Sequence, residues 1–263
     1  MDRQIENSLK QVNLYLEKCL KPTGGLAKTL ERAMQYCVFP GGKRIRPLLV
    51  LAVAKILGVP EKKILPAACG IELIHCFSLV HDDLPCMDND DFRRGKPTCH
   101  KKFGQSQALL TGDALLCLGI REIARCNVPE AVIRTCNVLG SDGMAGGQSL
   151  DMIFKNKRLS QKIKLWIDRK KTGELFSLCF EIPAIIGNCE KKKIEKLQKI
   201  GMLFGLAFQV LDDILDKEGE EKKLRSILEK TVRKILHETR KFDTGTDMLI
   251  ALIRNIFGSF VKI

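Results

Sequence analysis

Two carboxylate clusters stand at the ends of apolar helical runs, and they restrict this chain more than any other feature. The first lies in Phe77-Ser78-Leu79-Val80-His81-Asp82-Asp83-Leu84-Pro85-Cys86-Met87-Asp88. The second lies in Phe208-Gln209-Val210-Leu211-Asp212-Asp213-Ile214-Leu215-Asp216. Burying carboxylates without partners costs several kcal/mol, so a fold that keeps both clusters on core-type helices needs cations facing them. Oxygen ligands gathered without His or Cys select a hard ion, Mg²⁺, over zinc or copper. The clusters read as two halves of one metal site.

The periodicity around them is helical almost throughout, with no alternating strand of useful length, which predicts an all-α fold. Helices are expected over 2–20, 26–38, 46–57, 61–84, 105–125, 129–152, 160–171, 174–186, 191–217, 221–241 and 246–260. Turn chemistry separates them at Pro22-Thr23-Gly24-Gly25, Pro40-Gly41-Gly42, Gly58-Val59-Pro60 and Gly95-Lys96-Pro97-Thr98. No low-complexity linker divides the chain, so residues 1–263 are expected to form one domain, a bundle of ten or more helices around a large central cavity. Glu72, Asp113 or a Lys/Arg interrupts each long uncharged stretch, so no membrane-spanning helix is expected. The charged start Met1-Asp2-Arg3-Gln4-Ile5-Glu6 leaves no room for a signal peptide, and a cytoplasmic location is expected.

Eleven cysteines, an odd number without a Cys-x-x-Cys pair, argue for free thiols over a disulfide framework or zinc site. Cys99-His100 offers adjacent ligands with no second pair to complete a tetrahedron. The formal charge of +13 admits nucleic acid, an acidic membrane surface or an anionic substrate as partner. Much of the lysine surplus, in 155–171, 191–193 and 222–241, is spaced as solvated helix faces and is poor in interleaved aromatics, so nucleic-acid binding is the weakest of these.

Helix geometry aligns the candidate residues. His75, Ser78 and Asp82 share a face about 60° wide, and Gln209, Asp212, Asp213 and Asp216 share one of about 100°. Two glycine-hinged cationic elements, Gly41-Gly42-Lys43-Arg44-Ile45-Arg46 and Arg93-Arg94-Gly95-Lys96, flank the first cluster and suit phosphate recognition. Acids for metal, bases for phosphate and an apolar helical chamber together indicate a phosphorylated, greasy substrate. Read singly, Gln209 also fits a satisfied buried amide, His75 a core histidine, Phe77 ordinary packing and Lys171 a helix C-terminal charge. Arg93 and Arg94 also fit simple neutralisation of Asp88, Asp90 and Asp91. Gly146-Gly147 fit close helix packing, with Gln148 and Asp151 on one face supporting the chamber.

Seven motifs occur in an order that resembles the trans-isoprenyl diphosphate synthase family, most closely its bacterial farnesyl diphosphate synthases. They are Gly-Gly-Lys-Arg-Ile-Arg-Pro at 41–47, His-Asp-Asp-Leu-Pro-x-Met-Asp at 81–88, Arg-Arg-Gly-x-Pro-Thr-x-His at 93–100, Gly-Asp-Ala-Leu at 112–115, Gly-Gly-Gln-Ser-Leu-Asp at 146–151, Lys-Thr-Gly at 171–173 and Phe-Gln-Val-Leu-Asp-Asp-Ile-Leu-Asp at 208–216. The resemblance implies Mg²⁺-dependent condensation of isopentenyl diphosphate with dimethylallyl or geranyl diphosphate, giving farnesyl diphosphate, in a homodimer. It implies Mg²⁺ ligands at Asp82, Asp83, Asp88, Asp212, Asp213 and Asp216. It places isopentenyl diphosphate on Lys43, Arg46, His75 and Arg94, and the allylic diphosphate on Arg93, Lys171, Thr172 and Gln209. Phe77 and Ser78 would limit product length, favouring C15 over C20, although Phe77 lies about 140° round the helix from Asp82 and so borders the tunnel.

After Asp216 the family pattern continues through a Gly-Lys and a Lys-x-Thr-Tyr-Pro element, and both are absent. Lys217-Glu218-Gly219-Glu220-Glu221-Lys222-Lys223 leads directly into the next helical run. A segment missing only from this chain and a lid lost from the protein both fit. A geranylgeranyl diphosphate synthase and a noncatalytic subunit of a heteromeric synthase are the alternatives. A terpene cyclase fits less well, given the second acidic motif and Lys43, Arg46 and His75.

Overall fold

The computed structural model describes residues 3–39, 41–155, 157, 159–217 and 219–261. Its centre is α4 (Glu61–Asp82), apolar on nearly every side, with 64, 67–74, 76 and 80 buried. Such a helix has no face to offer water and must be enclosed. Its main partner is α6 (Gln105–Ala124). The two backbones nearly touch at paired glycines, where a Cβ on Gly70 would stand 2.6 Å from the Gly119 carbonyl oxygen. α3 (Ile45–Ile56) and α10 (Glu174–Ile186) close another side, and α11 (Lys191–Leu215) lies along α10. There Gly201 and Gly205 admit the backbone of Ser177 and Gly173, whose Cα atoms lie 2.6 and 2.8 Å from where a Cβ would project. Phe176, Phe180, Phe204 and Phe257 fill the space between α10, α11 and α13 (Asp247–Phe257) with ring centroids 5.3–6.0 Å apart.

α1 (Arg3–Cys19), α2 (Lys28–Val38), α5 (Cys99–Phe103), α7 (Pro129–Leu139), α8 (Met144–Ile153), α9 (Gln161–Asp168) and α12 (Glu221–Thr239) complete the bundle. The all-α expectation holds, with four local differences. The helix expected over 129–152 is broken between α7 and α8 by Gly140-Ser141-Asp142-Gly143, where Gly143 adopts φ −128° and ψ −137°. A small hairpin, β1 (Phe92–Arg93) with β2 (Lys96–Pro97), pairs Phe92 with Pro97 and Arg93 with Lys96. Its two turn residues, Arg94 (φ 53°) and Gly95 (φ 74°), are both left-handed, the geometry that matches strand twist in two-residue loops. No helix boundary falls after Lys171: a π-helical turn, Arg169–Gly173, joins α9 to α10 without interruption.

The fourth difference concerns α4, which is long and apolar enough to cross a bilayer, with a mean hydropathy of 1.5 over eighteen residues. The carboxylate of Glu72 in mid-helix is too small a polar contribution to offset its apolar neighbours. In the bundle Glu72 is buried and accepts a 2.8 Å bond from Arg44 Nη1, both side chains 2% exposed or less. Arg44 also donates to the Val38 carbonyl at 2.8 Å, so it ties α2 and α3 to α4. A second buried network sets α7 on α10: Arg134 donates to Glu181 at 2.8 and 2.9 Å, and Ser177 Oγ donates to the same carboxylate at 2.7 Å.

Candidate active site

The last turn of α4 and the loop after it carry the first acidic cluster. Asp82 is half-buried and makes no ion pair within 4 Å among the described residues, and desolvation raises its carboxyl to about 6 against the pull of Lys171. Asp83 behaves differently. It is buried, and Arg93 clamps it with Nε at 3.0 Å and Nη2 at 2.6 Å while also holding Asp90 at 2.9 Å. Asp88 is exposed and meets Lys155 Nζ at 3.3 Å. The tight α4 exit folds the loop back, the Asp88 amide donating to the Asp82 carbonyl at 2.9 Å.

The second cluster closes α11. Asp212 is raised to about 6 by desolvation, then by Asp216 and Asp213, and its nearest compensating charges are Arg46 and Lys43. Gln209 Nε2 donates to Asp213 Oδ1 at 3.1 Å, and Thr172 Oγ1 donates to Gln209 Oε1 at 3.4 Å. This chain of contacts exists because the π-turn squeezes an extra residue into the helix and presents both Lys171 and Thr172, a use of π-bulges typical of functional sites. Lys171 Nζ donates to Asp151 Oδ2 at 2.8 Å, which together with Asp82 and Asp88 outweighs desolvation and raises the amine. Gly147 permits the approach: a Cβ there would stand 2.7 Å from the Lys171 nitrogen.

The basic residues divide in the same way. Lys43 and Arg94 are exposed. Arg46 stacks over the Phe176 ring at 4.4 Å, and its Nε is shut from solvent with no hydrogen-bond partner among the described residues. A buried guanidinium nitrogen left unpaired is costly, so the arrangement points to an anionic ligand. His75 is held well below the imidazole range by burial, then by Arg46, Arg94, Arg44 and Arg93, so it is neutral at physiological pH. Phe77 packs edge-on against His81 at 5.1 Å, and His81 Nε2 is 3.0 Å from the Leu109 carbonyl oxygen. Ser78 Oγ donates to the His75 carbonyl at 2.9 Å. Among the described residues no three His, Cys, Asp or Glu side chains converge on one metal-sized point.

Sequence reasoning missed Asp168. It sits three residues before Lys171 and is raised to about 6 by desolvation and, against the nearby Lys164, by Asp213 and Asp151. It thus belongs electrostatically to the α8–α11 acidic group, and only its spacing from the Lys-Thr-Gly motif hinted at that. Gln148, read as a supporting residue, has both amide atoms buried and without a hydrogen-bond partner among the described residues. Lys217 (φ 57°) and Gly219 (φ 86°) turn the chain sharply, and residues 216–220 alone separate α11 from α12. Those five residues carry neither a Gly-Lys nor a Lys-x-Thr-Tyr-Pro element.

The raised carboxyls set a pH dependence. Folded values near 6 lie above the ordinary aspartate value of 3.8, so the fold favours the protonated forms. Their destabilising contribution grows as pH rises from about 4 to 6 and is constant above that. A divalent cation held by these carboxylates would compete with those protons, so any rise in melting temperature on adding Mg²⁺ should be larger at pH 7.5 than at pH 5.5. Equal increases at both pH values would contradict it.

Residues 27–231 match the polyprenyl synthetase family model. Farnesyl diphosphate synthase of Geobacillus stearothermophilus is 43% identical over 230 residues, spanning 84% of this chain and 77% of that protein. Geranylgeranyl pyrophosphate synthase 4 of Arabidopsis thaliana is 42% identical over 202 residues, 73% of this chain and 54% of that one. The apo crystal structure of an FPP/GFPP synthase from Zymomonas mobilis superposes with a TM-score of 0.90 at 33% identity, covering 96% of this chain and 97% of that one. The fold is that of the isoprenoid synthases, and the chain belongs to the polyprenyl synthetase family. Its activity class follows from the same relatives: it is a prenyltransferase.

Proposed function

We propose that the enzyme condenses isopentenyl diphosphate with dimethylallyl or geranyl diphosphate to give farnesyl diphosphate. The observation that carries this reading is the pairing of ligand-hungry groups across one site: among the described residues Asp82 and Asp212 make no ion pair, and a buried nitrogen of Arg46 has no hydrogen-bond partner. Carboxylates raised by desolvation, with basic groups near but none in ion-pair contact among the described residues, suit a hard cation, and the separated clusters leave coordination positions for water and substrate phosphates. Asp82, Asp83, Asp88, Asp212, Asp213 and Asp216 would hold Mg²⁺, which neutralises the departing diphosphate. Asp83 reaches that role by exchanging Arg93, which then turns to the allylic diphosphate.

In this scheme Lys43, Arg46, neutral His75 and Arg94 hold isopentenyl diphosphate. Lys171 contacts the allylic diphosphate, whose C–O bond breaks. Thr172 and Gln209 direct oxygen atoms at the positive charge left on the allylic carbon. The double bond of isopentenyl diphosphate supplies the electrons of the new C–C bond, and the adjacent carbon then gives its proton to the released diphosphate, leaving the new double bond. Preorganised dipoles and charges of this kind lower the barrier without covalent catalysis.

Product length is assigned to Phe77, braced by His81. Phe77→Ala should shift products from C15 toward C20 in an assay with labelled isopentenyl diphosphate, each allylic diphosphate and Mg²⁺. Unchanged C15 products would remove Phe77 from that role, while C20 from the parent protein would favour a geranylgeranyl diphosphate synthase. Absence of any Mg²⁺-dependent elongation would defeat the main reading.

The short 216–220 connection favours a second reading, a low-activity or noncatalytic subunit. It also leaves the Asp212 side of the site more open to water than a lid would. The expected result is a measurable fraction of prenyl alcohol beside the diphosphate product, formed when water captures the cation. A product mixture containing only diphosphates would show that the site excludes water without that segment. A cytoplasmic homodimer is part of the same proposal, supported by the half-exposed Leu109 and Leu110 of α6 and Ile133 of α7. Light scattering that returns a monomer mass would exclude the dimer.

A further inference from the structure

The basic stretch that joins α8 to α9 has no part in the chemistry above beyond the contact of Lys155 with Asp88. The sixteen residues from Met152 to Ile167 hold five basic side chains and no acidic one. Elsewhere the lysine and arginine surplus is answered locally. On α12 Glu221 meets Arg225 at 2.8 Å and Glu229 meets Arg233 at 2.6 Å, and Lys191-Lys192-Lys193 stand between Glu190 and Glu195. Lys157 and Lys164, by contrast, are exposed and make no ion pair within 4 Å among the described residues.

Large apolar side chains stand among these charges. Ile153, the last residue of α8, is 55% exposed, and Leu165 of α9, a helix that packs on α8, is 52% exposed. Ile167 follows Leu165 by two residues, about 200° round the helix, and is 3% exposed. α9 therefore docks through Ile167 and turns Lys164 and Leu165 outward. Trp166, the chain's one tryptophan, is partly exposed beside Leu165, with Lys170 Nζ 5.7 Å from its ring centroid.

A partner for this face must offer negative charge to the lysines and an apolar layer to Ile153 and Leu165. Nucleic acid or free phosphate supplies the first without the second. A bilayer with anionic headgroups supplies both, phosphates outside and acyl chains just beneath, and basic segments with protruding aliphatic and tryptophan side chains suit that boundary. We propose that this face docks peripherally on a bilayer containing anionic lipids, with Ile153 and Leu165 entering the headgroup boundary and Lys157 and Lys164 on lipid phosphates. Lys155 donates to the Met87 carbonyl at 2.9 Å, so the docked face borders the first acidic cluster. A prenyl product leaving there would meet acyl chains before bulk water. That consequence rests on the function proposed above, whereas the docking does not.

The full chain, without substrate, is sedimented with vesicles of phosphatidylcholine alone or mixed with phosphatidylglycerol. Binding is expected only to the mixed vesicles and should weaken as salt is raised. Trp166 emission should move to the blue on binding, which tests the location with no substitution. Lys157→Gln with Lys164→Gln should lower the partition coefficient about 25-fold, about fivefold for each lysine near the surface. Ile153→Gln with Leu165→Gln should lower it about tenfold. Lys222→Gln with Lys223→Gln takes the same charge from exposed positions of α12 and should change it by less than about twofold. All six side chains are exposed, so the variants should melt with the parent. Absence of binding to the mixed vesicles overturns the proposal, as does equal binding to phosphatidylcholine alone. So does bound protein whose Trp166 emission stays in place, or an equal loss in the α12 variant.

Discussion

Asp82→Asn is expected to lower kcat for elongation by about 10²- to 10³-fold while leaving the fold as stable as before or more so. The activity loss follows from removing one charge from a site whose work is electrostatic, where single preorganised groups contribute this much. The stability expectation follows from the carboxyl itself. Its folded value near 6, raised by desolvation, means that the unliganded fold resists ionising it at neutral pH. Asparagine keeps the shape and removes that strain. Asp212→Asn should behave alike, being raised to about 6 for related reasons, and the double variant should lose less than the product of the single losses because the two act on one leaving group. Thermal melts and product formation measured on the same samples check both halves. A destabilised, fully active Asp82→Asn would show the carboxylate to be structural.

The second large effect separates two arginines that stand two positions apart in one motif. Arg44→Met should destabilise the protein by about 3–5 kcal/mol, because it strands Glu72 as a buried, uncompensated charge. Arg46→Met should change stability by no more than about 1 kcal/mol, because its Nε has no partner to lose and its stem packs on Phe176 as methionine can. Binding shows the reverse order. Arg46→Met should raise KM for isopentenyl diphosphate by about 10²-fold, the loss of a charged, hydrogen-bonded anion contact. Folded Arg44→Met at low temperature should bind nearly as the parent does. Denaturant midpoints and initial rates distinguish the two, and similar behaviour of both variants would refute the division.

This division shows how far the sequence could be read. Gly41-Gly42-Lys43-Arg44-Ile45-Arg46 reads correctly as a cationic, glycine-hinged element, and nothing local tells its arginines apart. Arg44 takes a left-handed backbone (φ 51°) that turns it inward onto Glu72, while Arg46, in the first turn of the helix that Arg44 caps, stacks over Phe176 with its charge felt by His75 and Asp212. The first acidic motif repeats the lesson. Asp82 and Asp83 are equivalent in a pattern of charges, yet in space one makes no ion pair among the described residues and the other is clamped by Arg93. The Lys-Thr-Gly segment looked like the end of one helix and is a π-turn within a continuous one, since Gly173 packs against Gly205 on α11.

The helical class, the helix runs and the two acidic clusters with their flanking cations were determined by the sequence alone. They express local quantities: a 3.6-residue apolar period, turn residues, and charges fixed to their positions. Which carboxylate stays unpaired among the described residues, which arginine keeps an unsatisfied nitrogen there and which one is locked onto a buried glutamate were decided only by the tertiary structure. Each depends on a neighbour brought from elsewhere in the chain, and the cost of burying a charge is set by that neighbour and not by the residue itself.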